Sequence, residues 1–464
     1  MQSGPDRSST AGGRRASDLP LLPNDLPAVE QRAVMPKGFR AGGLAAGIKP
    51  SGRPDLGIIA TTCDSAAVAA TFTRNQVVAA PIKLSRAHLN ATEAAGEGKF
   101  GWTDAIVTTS GSANAATGVE GDSDQGELGE FVAALLDTKP ERTLALSTGV
   151  IGVRLPMSKI KDGLTRLVPQ LAETDAALEA VAGALMTTDT KIKLATTTLE
   201  LPGPDGDPVT ITVSGIAKGV GMIHPRMATM LSVILTDAGV APATLNGLLS
   251  PIVQRTWNQL SVDGDTSTND TVFLLASGQA GASVAVGSRE AEMLGKAIEA
   301  IARSLARQQA ADGEGASTLL TCQVSGAADE YDARAIARSV ISSSLLKAAV
   351  HGRDPNWGRV ASAAGNAHLP DQELLEAAGL HPTEAAPRAG RQPELDLDKL
   401  QIAIAGTLVF KGGPLPFDRD AVRKAMDVPE VIIRLHLGLG DGVGEAFGCD
   451  LTEQYVIENA EYTT

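Results

Sequence analysis

KGVGMIHPRMATMLSVILTD, Lys218–Asp237, decides how the rest of the chain is read. Gly219 and Gly221 bracket Val220 and Pro225 follows, so the segment is poor helix material and forms a loop with a specific destination. Thr229 to Leu235 is a short apolar run with β-branched members, the composition of a buried strand. At the junction stands Ala228-Thr229. A small residue before a threonine at the head of a strand suits self-cleavage. The hydroxyl attacks the preceding carbonyl, an N→O shift makes an ester, and hydrolysis leaves Thr229 as a new N-terminus. A threonine freed in this way carries its own general base. Its α-amine has a reference pKa of about 8 and lies within reach of the hydroxyl it must activate. A threonine that merely begins a core strand meets the same local pattern.

The chain around this stretch has 464 residues, 43% of them hydrophobic, enough for two or three ordinary domains or one large intertwined one. Glycine is abundant and aromatic residues make up only 3%, which implies tight turns and little surface on which bases could stack. A net charge of −14 argues against nucleic acid or another polyanion as partner. No run of about twenty apolar residues is present, so no membrane span is expected. The opening MQSGPDRSSTAGGRRASD has no apolar core of a signal peptide. Cys63, Cys322 and Cys449 are widely spaced and form no CxxC pair, as expected of reduced thiols in a cytoplasmic protein.

Residues 1–34 are rich in Ser, Gly, Pro, Arg and Asp and are expected to be a disordered extension. Order should begin near Lys37. Strands are expected at Leu56–Thr61, Ala105–Thr109 and Arg142–Ser147, and a hairpin from Lys193–Leu199 and Val209–Ala217 around the turn PGPDGDP. Helical spacing covers Met157–Glu173, Asp175–Leu185, Pro242–Gln259, Glu290–Gln309 and Asp332–Ala348. His381–Pro393 is expected to be a loop-like insertion, and further strands are expected near Leu400–Ile404 and Val431–Leu437.

Several stretches carry polar chemistry. The run Ser147-Thr148-Gly149-Val150-Ile151-Gly152 is a strand-to-turn junction at which glycine lets backbone come close, so the Gly149 N–H and the Thr148 hydroxyl can face a developing oxyanion. Met186-Thr187-Thr188-Asp189-Thr190 gathers hydroxyls beside a carboxylate. SVDGDTSTNDT, Ser261–Thr271, is oxygen-rich, but it lacks the alternating acidic pattern closed by Glu of a calcium loop. It is expected to be a structural polar turn, with no metal. Glu314, between Gly313 and Gly315, presents a carboxylate on a turn where it can meet a cation. HGRDPNWGR, His351–Arg359, is expected to be scaffold. The chain ends YVIENAEYTT. No dinucleotide fingerprint, Walker loop, zinc spacing or Gly-x-Ser-x-Gly elbow occurs.

KGVGMIHPRMATML resembles the signature of the ornithine acetyltransferase family, the glutamate N-acetyltransferases of arginine biosynthesis. The resemblance runs from about Met35 to the last residue, and SGSANA, STGVIG, SVDGDTSTNDT, GEG and HGRDPNWGR follow in the family's order. It implies an α/β fold, a layered αββα-type sandwich, in a precursor that cuts itself between Ala228 and Thr229. The α chain (35–228, after the 1–34 extension) and the β chain (229–464) would form one intertwined catalytic unit, two of each making a heterotetramer. The implied reaction is ping-pong acyl transfer in the cyclic arginine pathway. Thr229 takes acetyl from N2-acetyl-L-ornithine and passes it to L-glutamate, with Thr148 and Gly149 as oxyanion hole. Thr187 or Thr188, together with Lys218, Thr229, Glu314, Asn459 and Thr464, is implied to bind substrate. No cofactor is implied, although a bifunctional member would also accept acetyl-CoA. Ser112 stands where the family is expected to have Asn, a departure that bears on the polar role of its loop. Arg226, bulkier and more basic than the neutral residue expected there, leaves room for altered acyl specificity. Two other readings share these residues. One is an N-terminal-nucleophile amidohydrolase or aminopeptidase that gives the acyl group to water. The other is an uncleaved amino-acid-binding protein, against which the intact Ala228-Thr229 and Thr148-Gly149 pairs argue.

Overall fold

Short strands buried along nearly their whole length build two sheets that share one buried layer. The computed structural model describes residues 19–22, 25–224 and 230–461. Contacts divide these into two units, one within 24–316, 372–386 and 453–464, the other within 1–23, 317–371 and 387–452.

In the first unit the strands are β1 (Phe39–Leu44), β2 (Leu56–Thr61), β3 (Ala66–Phe72), β4 (Phe100–Thr103), β5 (Ala105–Ser112), β6 (Thr143–Val150), β7 (Lys193–Pro202), β8 (Pro208–Lys218), β9 (Leu231–Thr236), β10 (Gly239–Val240), β11 (Leu260–Ser261), β12 (Thr271–Ala276) and β13 (Ser283–Val284). One sheet has the order β1-β2-β5-β6 and the other β4-β3-β12-β9-β8-β7. The short strands β10 and β13 pair with each other. Helices α1 (Ala80–Thr92), α2 (Gly118–Leu136), α3 (Met157–Leu167), α4 (Asp175–Leu185), α5 (Pro242–Arg255) and α6 (Arg289–Ala311) cover the sheets. Successive residues of a strand face opposite ways, and the first sheet uses both faces. Ile59, Ile106, Leu144 and Leu146 join a core with Ile216, Val233, Leu235 and Phe273 of the second sheet. To this layer α1 adds Ile82 and Leu89, and α4 adds Leu178, Val181 and Leu185. Ile58, Ala60, Val107 and Ala145 pack the other way, against Leu128 and Val132 of α2 and Ile160 and Leu164 of α3. On the second sheet α6 lies close over β8, because a Cβ on Gly215 would stand 2.6 Å from Ile301 and 2.8 Å from Leu305. This is the layered α/β architecture expected of the sequence.

The second unit carries β14 (Leu319–Ala327), β15 (Gln401–Ile404), β16 (Thr407–Lys411), β17 (Glu430–His436) and β18 (Gly442–Cys449) in the order β18-β14-β17-β15-β16. Helices α7 (Glu330–Ser342), α8 (Ser344–His351) and α9 (Trp357–Gly365) bury Ile336, Val340, Val350 and Val360 against Cys322, Val324, Ile433 and Leu435. Among the described residues no helix is long and apolar enough to cross a membrane.

Four expectations are corrected. Residues 25–34, assigned to a disordered extension, are tied to β7 and β8: Glu30 and Thr196 exchange backbone bonds, and the hydroxyls of Thr197, Thr196 and Ser214 donate to the carbonyls of Ala28, Arg32 and Val34. Met157–Glu173 is helical only to Leu167 and then turns tightly at Val168–Gln170, where Pro169 removes a donor. Asp332–Ala348 is two helices, because Ser343 leaves helical geometry and caps the second by accepting from Leu346 N–H. The insertion at His381–Pro393 contains a short helix, Pro382–Arg388.

Candidate active site

The turn after α4 and the turn after α6 meet beneath the glycine loop that leaves β8. Glu314, on the turn after α6, donates its backbone N–H to the Val220 carbonyl at 2.8 Å. Its side chain accepts from two directions, from the Thr188 hydroxyl at 2.8 Å and from Asn459 Nδ2 at 2.9 Å. Asn459 comes from the terminal helix Glu453–Glu461. Thr188 and Glu314 line a cleft of about 590 Å³, together with Asp312, Gly315, Gln454 and Glu458. Gly221 is required for this arrangement, since a Cβ there would stand 2.2 Å from Glu314 Oε2.

Lys218, the last residue of β8, reaches the Thr187 hydroxyl at 3.4 Å. Burial pushes its ammonium pKa down, opposed first by Asp189 and then by Asp270. The structure therefore separates the two threonines that the sequence leaves as alternatives. Thr187 faces Lys218 and Thr188 faces Glu314.

Thr148 and Gly149 lie just before Val150, the last residue of β6, inside the strand rather than in the turn after it. Gly149 has a φ of +127°, and a Cβ on it would approach the Gly111 carbonyl carbon to 2.4 Å. Glycine is thus demanded by both conformation and close approach. Gly111 lies opposite Gly149 in the parallel β5–β6 pair, and a Cβ on Gly111 would meet Lys49 Cγ at 3.1 Å. Lys49 Nζ donates to the Met186 carbonyl at 2.8 Å, beside Thr187. A chain of contacts thus runs from Gly149 to Lys218.

The loop between β8 and β9 is anchored on both sides. Upstream, Gln309 Nε2 donates to the Lys218 carbonyl at 2.8 Å and Gly219 N–H donates to Asp189 Oδ1 at 2.8 Å. Asp263 accepts from Met222 N–H at 2.5 Å and from Ile223 N–H at 2.8 Å. The Thr266 hydroxyl donates to the His224 carbonyl at 2.9 Å. Downstream, Thr271 N–H donates to the Met230 carbonyl at 2.9 Å. The oxygen-rich turn is therefore spent on backbone. Asn269 Nδ2 likewise donates to the carbonyls of Ala113 at 2.7 Å and Ser147 at 2.8 Å, next to Thr148. Ser112 is buried and donates to the Val153 carbonyl at 2.7 Å, a role within the scaffold. Ala228, Thr229, Arg226 and Thr464 lie outside the described residues.

Sequence reasoning missed Lys193, Asp312, Lys49 and Gln309 as parts of the site. The only sequence signal for Lys193 is its four-residue spacing from Asp189.

The model of the ArgJ family matches residues 40–464. Arginine biosynthesis bifunctional protein ArgJ 1 of Nostoc sp. is 41% identical over 441 residues, covering 92% of this chain and 97% of that protein. The arginine biosynthesis bifunctional protein ArgJ of Thermus thermophilus is 41% identical over 430 residues, covering 93% of this chain and 99% of that one. Among solved structures, the arginine biosynthesis bifunctional protein of Bacillus halodurans aligns at 35% identity with 50% of this chain and 100% of its own, with a TM-score of 0.44.

Proposed function

The chain belongs to the ArgJ family, and from that premise we propose that it moves acetyl from N2-acetylornithine to glutamate through an ester on Thr229. It is an acetyltransferase of arginine biosynthesis. In the proposed sequence the precursor first cuts itself between Ala228 and Thr229. The freed α-amine then takes the proton of the Thr229 hydroxyl as that oxygen attacks the acetyl carbonyl. The Thr148 hydroxyl and Gly149 N–H receive the oxyanion. Ornithine leaves as its α-nitrogen regains a proton, and the α-amine of glutamate attacks the ester in the reverse sense. Acetyl-CoA, as an alternative donor, would load the same threonine, and no bound cofactor takes part.

The observation that carries the reading is Glu314, held by Thr188 and Asn459 in the cleft while Lys218 stands beside Thr187. A carboxylate and an ammonium held on separate anchors suit an amino acid with charges at both ends. Strand order supports an assembled cut product, because β9 and β12 lie between β3 and β8 in one sheet. Thr464 is proposed to complete the substrate site, and the cut chains are proposed to form a heterotetramer of two α and two β in the cytoplasm. The test is intact mass of the purified protein, before and after acetylornithine, acetyl-CoA or neither, with and without glutamate. Two fragments are expected, the second beginning Thr-Met-Leu-Ser and gaining one acetyl group that glutamate removes. An uncut chain that still transfers acetyl groups would refute the mechanism.

A further inference from the structure

Lys193 opens β7 with its side chain only 1% exposed, too deep for an ammonium without partners. Its Nζ donates to Asp189 Oδ1 at 2.6 Å, to Asp312 Oδ2 at 2.7 Å and to the Lys191 carbonyl at 3.2 Å. Each carboxylate passes the restraint on to backbone. Asp189 accepts from Gly219 N–H at 2.8 Å and from Thr187 N–H at 3.1 Å. Asp312 accepts from Thr190 N–H at 3.0 Å and from the Thr190 hydroxyl. The segments so joined carry Thr187, Thr188, Lys218 and Glu314.

Lys218 stands one residue before the clamped Gly219. The charged groups around its ammonium are Asp189 from the turn after α4, Lys193 from β7, Asp270 from the entry to β12, Glu314 from the turn after α6 and Lys49 from the loop between β1 and β2. Asp189 is the foremost of the carboxylates that oppose the effect of burial.

We propose that Asp189, clamped by Lys193, is the positioning residue of this site, fixing the Gly219 backbone at the root of the loop after β8 and holding Thr187, the residue Lys218 reaches, beside its own carboxylate. The inference rests on the acyl-transfer reading above. It gives Asp189 one geometric and one electrostatic task, which separate experimentally. Asp189→Asn keeps the size of the side chain and removes its charge, so Lys218 loses its proton at lower pH. In the acyl-transfer reading the substrate needs this ammonium, so the alkaline limb of kcat/KM moves to lower pH. Asp189→Glu keeps the charge and misplaces the oxygen that holds Gly219.

The rate of self-cleavage and kcat/KM for acetylornithine against pH are measured for the full-length wild type, Asp189→Asn, Asp189→Glu and Gln309→Leu. Gln309→Leu removes a neutral anchor of the Lys218 carbonyl. Expected for Asp189→Asn is an alkaline limb displaced to lower pH and cleavage slowed by about tenfold. For Asp189→Glu and Gln309→Leu, slowed cleavage with an unmoved limb is expected. Should Asp189→Asn not fold, Asp189→Glu still decides the geometric claim, and a wild-type cleavage rate in that variant overturns it. A limb that stays put in Asp189→Asn, or moves as far in Gln309→Leu, overturns the electrostatic claim. A wild type that neither cleaves nor transfers acetyl would instead refute the function on which the inference rests.

Discussion

Glu314→Gln tests the choice of substrate most directly. The side chain is half-buried, and its two oxygens accept from Thr188 at 2.8 Å and Asn459 at 2.9 Å. Glutamine keeps one acceptor, and the Asn459 amide can turn to accept from the new NH2. The local structure therefore loses little. What disappears is the negative charge that the proposed mechanism offers to the far ammonium of acetylornithine. A hydrogen bond to a charged partner is worth about 1.5–3 kcal/mol, which converts to about 10- to 150-fold in kcat/KM. Half-exposure screens the interaction, so the lower part of that range is expected. Glutamate carries a carboxylate where ornithine carries its cation, so its half-reaction should fall less, or rise. The two half-reactions are followed separately by the mass of acetyl-Thr229, loading from acetylornithine and unloading to glutamate. Equal losses in both halves, or none in either, would remove Glu314 from the role of ammonium reader.

Two further outcomes are expected. Gly221→Ala places a methyl 2.2 Å from Glu314 Oε2, so it should reproduce the loss of acetylornithine use expected of Glu314→Gln, and wild-type kinetics would show that the loop yields freely. Thr148→Ala deletes the hydroxyl donor but leaves the Gly149 N–H, and turnover measured on cleaved enzyme should fall by about 10²–10³ with an unchanged melting curve. Near-normal turnover would mean that the oxyanion is received elsewhere.

Much of this site is legible in the sequence because its residues sit on glycine turns. Gly149, Gly221 and Gly313-Glu314-Gly315 mark places where backbone must come close, and the structure gives physical reasons at Gly149 and Gly221. The hairpin of β7 and β8 and the strand β2 follow from β-branched runs between turn residues. What composition does not carry is partnership across the chain. Residues 25–34 have the makeup of a tail, yet their order comes from backbone and hydroxyl bonds to β7 and β8, more than a hundred residues away. Lys193 looks like any lysine at a strand start until Asp312 is brought to it from α6. The break at Ser343 was readable in principle, since Ser342-Ser343-Ser344 interrupts the helical run and serine caps better than it propagates.

If the chain is cut between Ala228 and Thr229 as proposed, the topology keeps the two pieces together. β8 and β9 pair antiparallel from Val213–Thr236 to Lys218–Leu231, so residues 219–230 are the connection of a hairpin. Severing a hairpin connection removes no ladder bond and only releases loop entropy, a term that changes slowly with loop length. β9 keeps β8 on one side and β12 on the other, and β12 keeps β3. Self-cleavage at this point, however, needs both ends of the connection held while the bond between them reacts. Asp189, Gln309 and Asp263 hold the upstream end through Gly219 N–H, the Lys218 carbonyl and the backbone of Met222 and Ile223. β9 itself holds the downstream end. In the proposed mechanism the anchors that ready the loop for cutting also carry Lys218, and the turns they join carry Thr187 and Thr188. One framework can therefore serve the single cleavage and then every later turnover.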